Sequence, residues 1–160
     1  FKNYLGGKTE YEGSYKNGKQ DGKWTRWYEN GRVRRFETTY KDGKPDGKWT
    51  YWHENGQKSG EVTYKNGELD GLHTLWYENG QKKREGTYKD GEYDGISTGW
   101  YENGQMRDEG TYKNGTPDGK WTWWNENGQK TLEGTFKDGE KDGKWIYYNE
   151  DGTVKEVEEY

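Results

Sequence analysis

Carboxylates at fixed intervals are the most abundant chemistry in this chain. Glu29, Glu54, Glu78, Glu102, Glu126 and Glu150 recur, and so do Asp21, Asp46, Asp70, Asp94, Asp118 and Asp142, each followed by glycine. Acid–base catalysis needs one asymmetric constellation with distinct roles, whereas six equal copies describe turns and solvated surface. A calcium loop would need a dense run of oxygen ligands, and none occurs. The two histidines, His53 and His73, occupy different positions in different copies of the pattern, with no third ligand at metal spacing. Ser14, Ser59 and Ser97 lack the setting of an activated nucleophile. The expectation is no enzyme: no catalytic residue, no metal and no cofactor.

The elements that would carry these residues must be unusual. Only 25% of the 160 residues are hydrophobic and 35% are charged, values that alone point to disorder. Aromatics make up 18%, with 10 Trp and 15 Tyr, and they reverse that reading. Rings bury large areas with few rotatable bonds, so a modest number can stabilise a β-surface. There is no cysteine, which excludes disulfides and thiol chemistry. The net charge of −4 offers no polyanion footprint, so nucleic acid is not expected as a partner. No apolar run is long enough for membrane insertion. The chain begins at Phe1 with no leader in view, which leaves both a cytoplasmic and an exported or cell-surface location open.

Internal repetition organises the sequence. The Asp-Gly pairs advance in steps of 25, 24, 24, 24 and 24, and Gly31, Gly56, Gly80, Gly104, Gly128 and Gly152 keep the same steps. The single longer step points to a β-bulge within Arg32 to Tyr40. Each unit reads DGKWTxWYENGQKxxEGTYKDGxx. Asn-Gly, as at Asn79-Gly80, predicts a two-residue type I′ hairpin, and Lys89-Asp90-Gly91 predicts a longer turn with a left-handed glycine. The expected fold is all-β: an elongated, twisted, single-layer antiparallel β-meander of about six hairpin repeats of 24 residues. About thirteen strands at ~4.8 Å each would span roughly 60 Å. We read residues 1–160 as one domain, with units at about 21–45, 46–69, 70–93, 94–117, 118–141 and 142–160 and a partial unit at 1–20.

The hairpin register places large side chains opposite glycines, Trp121 opposite Gly134 among them. A ring laid over a cross-strand glycine replaces its missing packing, so Trp121 is expected to roof Gly134. Alternation then sorts two faces. Trp27, Trp52, Trp76, Trp100, Trp124 and Tyr148 form a row on one. Trp24, Trp49, Trp121 and Trp145 lie on the other, with Tyr51 and the strand-end rings. Two central units depart from the pattern: His73 and Ser97 stand in the tryptophan slot, and Leu75 and Gly99 replace the next ring. Either a shallow concavity forms there or the repeats have drifted.

Segments such as YEGSYKNGKQDGKW, Tyr11 to Trp24, resemble the MORN repeat, and the WYENGQKxxEGTY form resembles its bacterial variant more closely. The resemblance covers nearly the whole chain. It implies a binding scaffold, and proteins of this kind are often described as antitoxins or as surface proteins. The functional expectation is a non-enzymatic, protein-binding repeat scaffold, antitoxin-like in neutralising a partner by steric cover. The alternative is a carbohydrate-binding module at the cell surface with polysaccharide as its partner, stacking sugars on Trp and Tyr. Candidate binding residues are Trp49, Tyr51, His53, His73, Tyr77, Tyr101, Trp121 and Trp123. Exposed terminal strands would also allow end-to-end self-association.

Overall fold

A computed structural model describes residues 1–5, 8–29 and 31–160. The chain divides into two compact units, Phe1–Gly80 and Gln81–Tyr160. In the first, β1 (Lys2–Leu5) and β2 (Lys8–Glu12) precede a short ribbon of β3 (Tyr15–Lys16) and β4 (Lys19–Gln20). There follow β5 (Gly22–Trp27), β6 (Arg34–Lys41), β7 (Lys44–Pro45), β8 (Gly47–Trp52), β9 (Lys58–Lys65), β10 (Glu68–Leu69) and β11 (Gly71–Trp76). The long strands pair antiparallel in the order β1-β2-β5-β6-β8-β9-β11, with β7 on β6 and β10 on β9. The second unit is a meander in strict chain order: β12 (Lys82–Lys89), β13 (Glu92–Trp100), β14 (Met106–Lys113), β15 (Thr116–Trp124), β16 (Lys130–Lys137), β17 (Glu140–Tyr148) and β18 (Val154–Glu159). No described residue is helical, and the expected all-β antiparallel meander is what forms. Strands outnumber the thirteen expected because the Gly-rich segments after each strand-end ring pair as well.

The two turn types are exchanged relative to expectation. Both residues of Asp90-Gly91 have positive φ, 50° and 87°, as do those of Asn17-Gly18, Asp42-Gly43, Asn66-Gly67, Asn114-Gly115 and Asp138-Gly139. With Lys89 paired to Glu92, these are the tight two-residue hairpins. In the Glu-Asn-Gly-Gln turns only the glycine is left-handed: Gly56 N–H donates to the His53 carbonyl at 3.0 Å, and His53 N–H to the Gln57 carbonyl at 2.8 Å. The asparagine side chain decides the outcome, since Asn55 Oδ1 accepts the Gln57 N–H at 2.9 Å and holds Asn55 out of the left-handed region. A bulge accompanies such turns between Tyr51 and Trp52, where Tyr51 faces Gly60 but Trp52 faces Lys58, and again at Gly99/Trp100 and Trp123/Trp124. The first repeat has the same bulge, so the extra residue is not there. It lengthens the tip loop, where Tyr28 N–H reaches the Val33 carbonyl five positions on. Asn30, in that tip, lies outside the described residues.

The apolar interior is small: among the described residues Trp24, Val62, Trp121 and Trp145 are the buried hydrophobic ones. Trp121 does pair with Gly134, as the register requires, but it pairs on its other side with Gly110. Its ring lies over Gly110, where an added Cβ would stand 2.0 Å from the indole, while Gly134 is roofed by Trp145 at 2.3 Å and Gly13 by Trp24 at 2.1 Å. The indole N–H makes this choice. Trp24, Trp49, Trp121 and Trp145 donate to the carbonyls of Ser14, Thr39, Thr111 and Thr135 at 3.0–3.2 Å, and for Trp24, Trp121 and Trp145 the acceptor is the residue after the roofed glycine. A buried indole needs an acceptor, and only the strand on that side presents one to it.

Candidate binding surface

The residues singled out from the sequence fall into three settings. Trp49, Tyr51, Trp121 and Trp123 belong to the ring-packed face. Trp121 is 6% exposed. Trp49 is half-buried between Tyr40 and Tyr64, at centroid distances of 5.2 and 4.7 Å. Trp123 is half-buried against Trp121 at 5.5 Å and Trp145 at 5.8 Å. Tyr51 packs on Phe36, and burial, followed by the nearby Tyr64 and Tyr40, pushes its hydroxyl up to about 12.

His53 and Tyr101 act as straps between successive repeats. Tyr28 and Tyr101 hydroxyls donate to the Trp52 and Trp124 carbonyls at 2.6 and 2.8 Å, and His53 Nε2 meets the Trp76 carbonyl at 3.0 Å. A carbonyl only accepts, so Nε2 carries the proton. Asn55 and Asn103 add a second strap from the hairpin tips to the Glu78 and Glu126 carbonyls, both at 2.8 Å. Tyr77 occupies the same slot in the sequence and is half-buried. Because tyrosine does the same work, His53→Tyr is expected to change stability by less than about 0.5 kcal/mol, whereas His53→Ala removes the bond and costs about 1 kcal/mol. Urea denaturation of both variants checks this. His73 is half-buried, and that burial lowers its pKa.

The positions of the two lost rings are covered. Ser97 is fully buried and Gly99 is buried. The lost indole is replaced by Tyr93, whose ring lies over Gly86 and stacks with Tyr88 and Tyr112 at 4.1 and 5.1 Å. The remaining space holds a polar cluster. Arg84 donates to Ser97 Oγ at 3.2 Å and to Asp108 Oδ2 at 2.8 Å, and Arg107 Nε donates to Asp108 Oδ1 at 2.7 Å. Asp108 is 5% exposed, so two guanidinium groups clamp a carboxylate removed from water.

The opposite face carries the other ring row. Trp27, Trp52 and Trp76 in the first unit, and Trp100, Trp124 and Tyr148 in the second, are all half-buried. Beside them runs a ladder of ion pairs. Glu37 holds Lys23 at 2.8 Å and Arg34 at 3.1 Å; Glu61 holds Lys48 at 2.8 Å and also Lys58; Glu133 holds Lys120 at 3.0 Å and Lys130 at 2.9 Å. The cations also cover rings: Lys58 sits 6.0 Å from the Trp76 centroid, Lys82 5.5 Å from Trp100 and Lys130 5.6 Å from Tyr148. Lys130, the Tyr148 hydroxyl and Lys120 hold the Glu133 carboxyl down to about 2, against a smaller opposing effect of burial. A carboxyl whose pKa falls on folding stabilises the fold above its ordinary value of 4.5 and loses that contribution as pH drops toward 2. Thermal unfolding between pH 6 and pH 2 should therefore fall more steeply for the parent than for Glu133→Gln, and a carboxyl NMR titration should place Glu133 well below the other glutamates.

Six consecutive matches to the family model of the MORN repeat variant cover residues 20–42, 45–66, 69–90, 93–114, 117–138 and 141–160. The chain belongs to the MORN repeat variant family. No curated protein matches it. The family assignment makes this MORN-variant chain a repeat scaffold, and it carries neither an antitoxin nor a carbohydrate role with it. In the MORN-variant frame two features escaped the reading of the sequence. Arg84 and Asp108 fall in one column, 24 residues apart, and the coincidence of that charge pair with the missing rings at 97 and 99 was available as a signal. The Lys-x-x-Glu spacing of Lys58–Glu61, Lys82–Glu85 and Lys130–Glu133 was equally visible, but only the bulge brings the two ends of that spacing together.

Proposed function

We propose that this MORN-variant chain is a non-enzymatic scaffold that binds another protein through the ring row of either unit, Trp27, Trp52 and Trp76 in the first or Trp100, Trp124 and Tyr148 in the second. The observation that supports this reading is the half-exposed row itself: one large ring per repeat, each flanked by ordered charges. Trp and Tyr lead the residue types that dominate binding energy at protein interfaces. The ring-packed face is a weaker candidate, because its indoles are engaged with glycines and carbonyls of their own sheet. Repeats of this family serve protein and membrane-lipid binding. A net charge of −4 gives no general attraction to an anionic bilayer, which favours protein.

The test is capture with the full chain as bait, beside Trp76→Ala and Trp124→Ala of unchanged circular dichroism. A stoichiometric protein partner lost by more than tenfold from either variant supports the proposal. Equal retention by both variants, or retention only on phosphatidylserine vesicles, overturns it.

A further inference from the structure

The ladder is uneven: Glu85 holds Lys82 at 2.7 Å but has Leu72 where Glu61 has Lys48, and at one further glutamate both cation positions have changed. In three repeats a glutamate is clamped by two cations of the chain: Glu37 by Lys23 and Arg34, Glu61 by Lys48 and Lys58, and Glu133 by Lys120 and Lys130. The equivalent glutamate on β14 is Glu109, and both its cation slots have changed, to Ile96 and Met106. Register equivalence is direct: Ile96 pairs with Thr111 as Lys120 pairs with Thr135, and Met106 pairs with Trp100 as Lys130 pairs with Trp124. Glu109 is exposed, accepts a hydrogen bond from Thr98 Oγ1 at 3.2 Å and stands in no ion pair among the described residues. Ile96 beside it is 61% exposed, and Met106 is half-buried.

Glu109 is an acceptor-only carboxylate whose register partners are Thr98 and Thr122, and the two neighbouring positions that carry cations in other repeats are aliphatic here. The cations that finish it elsewhere are replaced here by apolar contact area, which favours an incoming group that is cationic at its tip and apolar along its flanks. We infer that Glu109, with Ile96, Met106, Trp100 and Trp124, receives a lysine or arginine side chain from the bound protein, seated between aliphatic neighbours of that partner. This rests on the protein-binding reading above and gives it a chemistry. The partner would supply the charge that this repeat has lost, with the apolar rim excluding water from the pair.

The test uses the double variant I96K/M106K, which restores the pair of cations present in three other repeats and so fills the site from within, together with E109Q. A random nonapeptide display library is selected on the parent chain. The expected clones carry Lys or Arg next to Leu, Ile, Val or Phe, bind the parent at least tenfold more tightly than either variant, and weaken with added salt. Clones without basic enrichment, clones that bind all three proteins alike, or no clones at all overturn the inference. A protein captured by the full chain that binds I96K/M106K as tightly as the parent also overturns it and leaves the scaffold reading standing. If no protein is retained by any of these baits, both fall.

Discussion

Gly134→Val is expected to destabilise the second unit by about 3–5 kcal/mol, the range of losing a large ring from a core. A Cβ at this position would lie 2.3 Å from Trp145 Cδ2, closer than packed atoms come, so the indole must leave. It has nowhere to go: Phe136 stands edge-on at 4.9 Å, Trp123 lies at 5.8 Å, Lys141 sits 4.5 Å above the ring, and the N–H is held by the Thr135 carbonyl at 3.1 Å. The chain also contains its own remedy. Across the second and third repeats these two slots hold Val62 and His73, a smaller ring beside a larger neighbour. The double variant G134V/W145H should therefore recover part of the loss while W145H alone does not. Urea midpoints from tryptophan fluorescence and far-UV circular dichroism measure all three. A Gly134→Val midpoint equal to that of the parent would show that the glycine is not needed for ring cover.

Asp108→Ala should cost a similar amount, about 3–5 kcal/mol, because removing one member of a buried ion pair strands the others. Arg84 and Arg107 both point their guanidinium groups at this carboxylate, and without it two like charges, 26% and 35% exposed, would be left facing one another. Added salt should restore some stability to Asp108→Ala by screening that repulsion, and should do much less for the parent. The triple variant R84L/S97A/D108L replaces the cluster with the leucine already used at Leu132 in the same column and leaves no buried hydroxyl unpaired. Well-packed apolar replacements of buried charge networks are often neutral or better, so this variant should unfold closer to the parent than Asp108→Ala does. If Asp108→Ala unfolds with the parent, the cluster is ornament on a sheet held by other contacts.

The meander and its period were legible because the glycines and turn pairs repeat without interruption, and backbone conformation at such positions is dictated locally. Two kinds of detail were not. Asn79-Gly80 and Asp90-Gly91 present nearly the same dipeptide, and a side-chain hydrogen bond one residue beyond the pair decides which becomes the tight hairpin, as Asn55 does for Gln57. The direction in which Trp121 leans was also hidden, since its register places a glycine on both sides and only the Thr111 carbonyl breaks the tie. The candidate residues share this limit. His53 and Tyr101 read as ring contacts for a ligand, yet each spends its polar atom on a carbonyl of the following repeat. Trp27 and Trp52, by contrast, were placed on the correct face by alternation alone.

Those ring-to-carbonyl straps bear on how such a chain changes length over generations. Tyr28 reaches Trp52 and Tyr101 reaches Trp124, in each case one period ahead. A duplicated block of 24 codons would arrive with its own donor and its own acceptor and would restore the old junction at either side. Copy number can then drift by recombination between near-identical blocks, and an extra residue is absorbed where it enters a tip loop, as between Tyr28 and Val33, with the straps beyond it kept.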